Sequence, residues 1–182
     1  MKKLLLHTCC APCATFVHEW LRQNAFEATG FFYNPNIYPE AEYDLRKKCL
    51  EQYQALSGLP VIYAENDERP EAGNCADCYE RRLRKCARYG RAHQFDLFST
   101  TLLISPYQKH ELIKEIGARI AQEENIGFLY HDFRAGYHKG RELAKLYNLY
   151  RQKYCGCSAS LKEGKNEQAF KTAEREKVIA YS

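Results

Sequence analysis

Short apolar runs alternate along this chain with longer segments of helical periodicity, and this alternation limits the possible folds more than any other feature. Runs rich in β-forming residues occupy positions 3–7, 28–33, 59–64 and 97–103. Helical patterns occupy positions 14–24, 40–56, 76–94 and 108–125. This order of strands and helices predicts an α/β protein.

The strand runs show little alternation of apolar and polar residues, as expected when helices cover both faces of a parallel sheet. Such sheets have right-handed crossovers and bind ligands beyond the carboxyl ends of their strands. The sequence therefore predicts a Rossmann-like, doubly wound parallel sheet.

The chain length predicts a single α/β domain over positions 1–182, because 182 residues are enough for one core. The last third is rich in tyrosine and lysine. We expect positions 140–182 to form a helical appendage packed on the sheet, with helices at 140–153 and 165–179.

Nine cysteines are the most informative part of the composition. No apolar run reaches the ~18 residues of a membrane span, and the three leucines after Lys3 are too few for a signal peptide. We therefore expect a cytoplasmic protein without a membrane partner. Thiols stay reduced in that compartment, so nine cysteines favour metal binding or redox chemistry over a disulfide framework.

Cys9 and Cys10 directly follow the first strand run. Pro12 behind them suits the first turn of a helix, where a missing N–H costs nothing. The two thiols are therefore expected in the turn between strand and helix, where the helix N-terminus stabilises a thiolate or an anionic cluster. Two cysteines buried for packing in a tight turn are the alternative.

Cys75 and Cys78 open the third predicted helix. The Cys-x-x-Cys spacing lets two sulfurs converge on one metal ion or cluster. Cys9 and Cys10 lie at the same carboxyl edge of the predicted sheet. The four thiols together predict a metal or cluster site.

Three further cysteines differ in what their positions indicate. Cys49 and Cys86 fall on the apolar stripes of predicted helices and are expected to be buried without chemistry. Cys13 forms a second Cys-x-x-Cys with Cys10. It could replace Cys9 as a ligand, bind a second metal or pack as a small apolar residue.

Cys155-Gly156-Cys157 has a different spacing. A disulfide between residues two apart closes a strained ring, and strained disulfides belong to labile or catalytic pairs. Gly156 supplies the backbone freedom. We predict a redox-active pair, with two additional metal ligands as the alternative.

Basic residues cluster between positions 81 and 91, although the net charge is only +4. Arg84 and Arg88 belong to this cluster, which suits a phosphate-rich partner. A solvated helix face is the alternative, and composition alone favours it.

Several motifs resemble, in the same order, those of the cobalamin-independent epoxyqueuosine reductases, a bacterial family. They are LHTCCAPC at 6–13, FYNPNI at 32–37 followed by Glu42, Tyr43 and Arg46, CADCY at 75–79 with Arg82, TTLL at 100–103 with SPY at 105–107, and YRQKYCGC at 150–157. They cover about the first 160 residues. Several spaced motifs in order are far more specific than one.

The resemblance implies cofactors and site residues. It implies a redox-active disulfide between Cys155 and Cys157, and it leaves the role of Cys13 open, including a share in a second, mononuclear iron. Distant similarity to Rossmann-like nucleotide hydrolases is also implied, but cysteines replace their Gly-rich phosphate loop, so ATP is not expected. The resemblance to a cobalamin-independent family implies that cobalamin is not used either. The implied ligands of a [4Fe-4S] cluster are Cys9, Cys10, Cys75 and Cys78.

The implied activity is the reduction of epoxyqueuosine to queuosine at the wobble position of tRNA with GUN anticodons, the last step of queuosine biosynthesis. This reaction takes two electrons and two protons and releases water. A dithiol carries two electrons, whereas one cluster usually moves one at a time. The sequence does not identify the electron donor. Candidate acids for the epoxide oxygen are His7, Asp77 and Tyr107.

A wobble base is single-stranded, so it can be splayed out and stacked on aromatic rings while basic residues hold the phosphates. Polar residues in the loop after the second strand are candidates for contacting the base, although such residues are as often turn formers. The candidate substrate-binding residues are Asn34, Asn36, Glu42, Tyr43, Tyr107, Arg84 and Arg88.

Three other functions would use some of the same residues. A non-catalytic zinc-bound RNA-binding module would use the four thiolates without redox turnover. An iron–sulfur tRNA sulfur-transfer enzyme would normally need nucleotide activation, which the missing phosphate loop argues against. A pure thiol oxidoreductase would leave the four predicted ligands unused.

Overall fold

A five-stranded parallel sheet lies at the centre of the computed structural model, which describes residues 1–67 and 69–164. The strands follow the order β3-β2-β1-β4-β5, and every adjacent pair is parallel. This order confirms the predicted Rossmann-like, doubly wound sheet. The strands are β1 (Lys2–His7), β2 (Phe26–Phe32), β3 (Val61–Tyr63), β4 (Leu97–Thr100) and β5 (Gly127–Phe128).

Helices cover both faces of this sheet. Because the chain runs outward from β1 to β3 and then returns to β4 and β5, right-handed crossovers place the helices of the two halves on opposite faces. Consistent with this, α1 contacts α2 and α5, and α3 contacts α4. The helices are α1 (Ala11–Gln23), α2 (Glu40–Ser57), α3 (Cys75–Ala92), α4 (His110–Glu123) and α5 (Tyr137–Leu146), with 3-10 helices at Thr101–Ile104 and Phe133–Gly136.

The first strand is buried on both sides. Leu4, Leu5 and Leu6 have no exposed surface, which explains why the strand lacks an alternating pattern. Helix α1 begins at Ala11, three positions before the predicted start, because Pro12 occupies its first turn and Cys10 has the extended backbone of an N-cap. The turn containing Cys9 and Cys10 is therefore very short.

Two predicted elements end earlier than expected. The run at 97–103 is a strand only as far as Thr100, whose hydroxyl accepts a hydrogen bond from the Leu102 N–H and starts a 3-10 turn. The helix predicted at 140–153 spans Tyr137–Leu146 and ends before Asn148, which has a left-handed backbone (φ 52°).

The C-terminal region packs on α1 where the structure describes it. Thr15 in α1 donates a hydrogen bond to the Gly140 carbonyl in α5 over 3.1 Å. The helix predicted at 165–179 lies outside the described residues. Within the described part, none of the helices has the length and apolar character needed to cross a membrane.

His7 ends β1 and joins the sheet to α3. Its ring is fully buried, and its Nδ1 atom lies 2.9 Å from the Thr100 hydroxyl on β4. Arg82 donates from Nε to His7 Nε2 over 3.3 Å. The same Nε2 atom lies 3.2 Å from the Tyr33 carbonyl. Burial, together with the nearby charge of Arg82, lowers the pKa of His7 to about 3, so the ring is neutral at pH 7.

The neutral, buried ring of His7 predicts a pH dependence of stability. Below the ordinary pKa of 6.5, the unfolded chain binds a proton that the folded chain refuses until about pH 3. The free energy of unfolding should therefore fall as the pH drops from 6.5 towards 3, by up to about 1.4 kcal/mol per pH unit from this group.

Urea unfolding between pH 7.5 and 5 measures this slope. His7→Gln should flatten the curve, whereas the matched replacement of the exposed His138 by Gln should keep the wild-type slope. Equal slopes for wild type and His7→Gln would show that the ring does not control stability in this range.

Candidate metal and redox site

Three cysteines form a tight thiol group at the carboxyl edge of the sheet. The sulfur atoms of Cys9, Cys10 and Cys13 all lie within 4.8 Å of one another. Cys9 and Cys10 are buried in the turn after β1, and Cys13 lies in the first turn of α1. This turn lies between β1 and β4, where the strand order reverses and doubly wound sheets bind their ligands. The arrangement could hold a metal ion.

The surroundings of this thiol group favour a thiolate on one member. Hydrogen bonds with Cys10 and Cys13, together with the charge of Arg82 and a contact from the Thr101 hydroxyl at 3.3 Å, hold the pKa of Cys9 well below its ordinary value. Burial raises the pKa of Cys10. A metal that bound all three sulfurs would therefore displace protons from the group.

Cys75 and Cys78 occupy the first turn of α3. The Asn74 side chain caps this helix by accepting a hydrogen bond from the Asp77 N–H over 3.0 Å. Both thiols are partly exposed, and they lie outside the 4.8 Å group around Cys9. Their assignment to a common site with Cys9 and Cys10 stays a prediction.

An open cavity of about 130 Å³ is lined by Cys75 and Cys78 together with the Cys-Gly-Cys pair. Its wall therefore contains four of the six cysteines for which the sequence predicts chemistry. The residues that line it include Asn36, Cys75, Cys78, Tyr79, Arg82, Cys155 and Cys157.

Cys155 and Cys157 are free thiols whose sulfur atoms lie 3.6 Å apart. The Ser160 hydroxyl contacts both, at 2.9 Å and 3.5 Å respectively. Burial raises the pKa of Cys155. At Cys157, hydrogen bonds with the hydroxyl and N–H of Ser160 outweigh the effect of burial and lower the pKa. Cys157 is thus the more readily ionised thiol of the pair.

Arg46 clamps the loop that carries this pair. Its guanidinium is 1% exposed and uses three nitrogens: Nε binds Glu42 at 2.7 Å, and the other two donate to the carbonyls of Tyr154 and Cys155 at 3.0 Å. Tyr150 donates its hydroxyl to the other Glu42 oxygen over 2.6 Å. The loop is therefore fixed to α2 by a buried, fully hydrogen-bonded ion pair.

Gln152 connects the same loop to the thiol group. Its Nε2 atom lies 2.7 Å from Cys10 Sγ and 3.6 Å from Cys13 Sγ. In the sequence, Gln152 and Arg46 are parts of motifs, and nothing in those motifs indicates these contacts. Contacts of this kind join residues more than 100 positions apart, and neither spacing nor periodicity reports them.

The predicted substrate-binding residues differ in what they contact. Asn36 lines the cavity, is 8% exposed, and has an Oδ1 atom without a hydrogen-bond partner among the described residues. Asn34 is fully buried, donating to the Thr8 carbonyl at 2.9 Å and accepting from Arg82 at 2.8 Å. Tyr107 is 83% exposed. Their contact with substrate stays a prediction.

Two more of these candidates pack against the protein itself. Glu42 belongs to the clamp with Arg46, and the Tyr43 ring packs against Phe32 with 5.3 Å between ring centres. Of the four residues predicted in and after the loop that follows β2, Asn36 is the one that lines the cavity.

Arg84 and Arg88 lie within a network of surface ion pairs. Arg84 pairs with Glu80, Glu123 and Glu124, and Arg88 pairs with Glu124. Their predicted contact with tRNA phosphates would require exchanging these carboxylates for phosphates.

The candidate acids also have defined surroundings. His7 is buried and neutral, and Asp77 pairs with Arg81 at 2.9 Å. Cys49 and Cys86 are both buried, as their helix positions predict. Cys86 points its sulfur at the Leu5 carbonyl, 3.8 Å away.

The strand order and the thiols at its reversal point define a Rossmann-like α/β protein with a candidate thiolate metal site and a neighbouring dithiol. A family model described as epoxyqueuosine reductase QueH matches residues 4–163. The chain therefore belongs to the QueH family.

Curated relatives agree with this assignment. Epoxyqueuosine reductase QueH of Dehalococcoides mccartyi is 35% identical over 85% of this chain and 90% of its own length. The proteins of the same name from Staphylococcus epidermidis and Thermotoga maritima are 36% and 33% identical, over 92% and 93% of this chain and 83% and 95% of theirs.

A solved structure supports the fold alone. The crystal structure of a predicted subunit of tRNA methyltransferase from Methanocaldococcus jannaschii aligns with a TM-score of 0.50 and 11% identity. The alignment covers 80% of this chain and 74% of the other.

Side chains from α2 and from the loop after β2 crowd the position of Gly156. Its φ is +125°, and an added Cβ atom would lie 3.1 Å from Ile37 and 3.2 Å from both Arg46 Nη1 and Asn36 Nδ2. Gly156→Ala should therefore strain the backbone and disturb the clamp. We expect a cost of ~1–3 kcal/mol in the free energy of unfolding.

Gly58→Ala is the matched control, since Gly58 also has a positive φ (+72°) but nothing lies within 4 Å of an added Cβ. It should cost about 1 kcal/mol. Chemical denaturation of both variants checks the difference. A Gly156→Ala protein as stable as Gly58→Ala would contradict the crowding argument.

Proposed function

We propose that this protein reduces epoxyqueuosine to queuosine at the wobble position of tRNA, using a [4Fe-4S] cluster and a redox-active pair formed by Cys155 and Cys157. The observation that carries the proposal is the shared cavity. Its wall contains the dithiol together with Cys75 and Cys78, and the Cys9 group lies at the point where the strand order reverses. The family match and the names of the relatives support the same reaction.

Cys9, Cys10, Cys75 and Cys78 would hold the cluster. The four cysteine ligands of a cubane bind different irons, so Cys75 and Cys78 need not approach Cys9 and Cys10 as closely as ligands of a single ion. When bound, such a cluster supplies electrons one at a time. The donor set fits this group because Cys9 and Cys10 are buried, the pKa of Cys9 is held well below its ordinary value, and Arg82 lies against Cys78 at 3.6 Å.

Cys13 adds a fifth thiol beside the proposed ligand set. Its sulfur lies within 4.8 Å of Cys9 and Cys10, on the side covered by Gln152. This placement suits a share in a second, mononuclear iron better than simple packing, because a packed thiol needs no group of sulfurs around it.

The dithiol can supply the number of electrons and protons that the reaction consumes. Reduction of the epoxide to an alkene consumes two electrons and two protons and releases the oxygen as water. Oxidation of Cys155 and Cys157 from dithiol to disulfide yields two electrons and two protons. An external reductant, which this sequence does not identify, must then restore the dithiol.

The cavity offers contacts for a splayed base. The unpartnered Asn36 Oδ1 can accept a hydrogen bond from an N–H or O–H group of the ligand. Tyr79 lines the same wall, and burial raises its pKa to about 12, so its hydroxyl stays protonated and bonded to Gln108 at 2.6 Å. A single-stranded wobble base in tRNA can reach such a site.

The cluster assignment predicts a pattern of metal content. Replacing any one of the four proposed ligands by Ser should sharply lower iron and sulfide per chain in anaerobically purified protein. Cys49→Ala and Cys86→Ala serve as controls and should keep both, because those thiols lie on buried helix faces. Full iron occupancy in Cys75→Ser, or zinc in place of iron in the wild type, would refute the assignment.

If Cys155 and Cys157 form a redox-active pair, replacing either one should abolish sustained turnover without lowering the metal content. Wild-type protein should convert epoxyqueuosine in tRNA to queuosine with a suitable reductant. Cys155→Ser and Cys157→Ser should retain full iron yet fail to sustain turnover with the physiological donor. A strong artificial reductant could still support a single turnover.

Mass spectrometry of tRNA nucleosides beside iron analysis of the same preparation makes this comparison. Loss of both iron and turnover would identify Cys155 and Cys157 as metal ligands. Wild-type turnover by either variant would mean that the pair carries no electrons.

A further inference from the structure

Arg82 is a buried cation that has no carboxylate partner among the described residues. The Arg82 side chain belongs to a residue that is only 3% exposed. Within residues 1–67 and 69–164, no carboxylate lies at ion-pair distance from its guanidinium. Its nitrogens instead contact Asn34 Oδ1 at 2.8 Å, His7 Nε2 at 3.3 Å and Cys78 Sγ at 3.6 Å. Arg46, the other deeply buried arginine, is offset by Glu42.

Burying the positive charge of Arg82 in this way costs free energy unless an anion lies beside it. A buried charge without an opposite charge loses its hydration without compensation. Neither Asn34 nor His7 can supply a negative charge, because an amide is neutral and an imidazole ring is either neutral or positive. The remaining partner, the Cys78 sulfur, becomes an anion when it binds a metal.

The neutral partners also hold the guanidinium in place. Asn34 follows β2 and His7 ends β1, so two neighbouring strands fix the side chain from behind. Arg82 lies one helical turn after Cys78 on α3 and forms part of the cavity wall. These contacts therefore hold the positively charged guanidinium in a fixed position beside the proposed cluster site.

We propose that Arg82 is the resident counter-charge of the thiolate-bound cluster and raises its reduction potential. This inference rests on the proposed function, since it requires a cluster that includes Cys78. Reduction adds one negative charge to the cluster, and a fixed positive charge nearby favours the reduced form. Arg82 acts as a positioning residue: it tunes the cluster and does not itself exchange electrons or protons.

The test compares reduction potentials of variants that keep or remove the charge. Arg82→Gln removes the charge and retains a hydrogen-bond donor, whereas Arg82→Lys retains the charge. Arg91→Gln is the matched control, because it removes one charge from an exposed position on the same helix, nine residues further on. The measurements are iron and sulfide per chain and a redox titration of the anaerobic protein followed by electron paramagnetic resonance.

Arg82→Gln should favour the oxidised cluster by at least tenfold, which is a shift of about 59 mV to lower potential for one electron. Arg82→Lys should shift the potential by less than half as much, and Arg91→Gln should leave it unchanged, because an exposed charge at that distance is screened. An iron-loaded Arg82→Gln protein with the wild-type potential would overturn the inference. So would equal shifts in the Gln and Lys variants.

If the Arg82→Gln protein does not hold a cluster, the variants are compared by their iron and sulfide content instead of their reduction potential. If Arg82 acts through its positive charge, Arg82→Lys should retain iron and the uncharged Arg82→Met should lose it. Equal loss in the Lys and Met variants would overturn the inference, because shape and not charge would explain the result. A wild-type protein without iron and sulfide would instead refute the proposed function.

Discussion

A thiolate is an anion, and burying one requires positive charge and hydrogen-bond donors in direct contact with it. Hydrogen-bond donors of this kind reach three cysteine sulfurs in this protein. Thr101 reaches Cys9 from the segment after β4, Arg82 reaches Cys78 from α3, and Gln152 reaches Cys10 from the C-terminal loop. Since each donor comes from a different element, the sulfur atoms are satisfied only when sheet, helix and loop have all assembled.

The sheet explains why these elements meet. In a parallel sheet, the carboxyl ends of all strands lie at one edge, and the reversal between β1 and β4 opens a crevice there. His7 and Cys9 continue from β1, and Thr101 from β4. Doubly wound proteins commonly use this crevice for phosphate groups bound by a Gly-rich turn. Here the turn carries thiols, and the donors that surround them are matched to sulfur.

The sequence was sufficient for the part of the site that is local. Strand runs without alternation predicted a covered parallel sheet, and the position of Cys9 and Cys10 between a strand and Pro12 predicted their turn. It was insufficient where contacts are long-range or elements are short. The two residues of β5 carry no periodic signal, and the clamp made by Arg46 depends on carbonyls about 108 positions away.

The C-terminal loop couples the two halves of the site through its own backbone. Gln152 contacts the thiol group three residues before Cys155, and Arg46 holds the carbonyls of Tyr154 and Cys155. Closing a disulfide from the observed 3.6 Å requires the two sulfurs to approach by ~1.5 Å. Because the clamp holds the backbone on the Cys155 side, side-chain rotation and the freedom of Gly156 must supply that movement. In the proposed reaction, Cys155 and Cys157 would therefore form a disulfide while Gln152 stays in contact with Cys10.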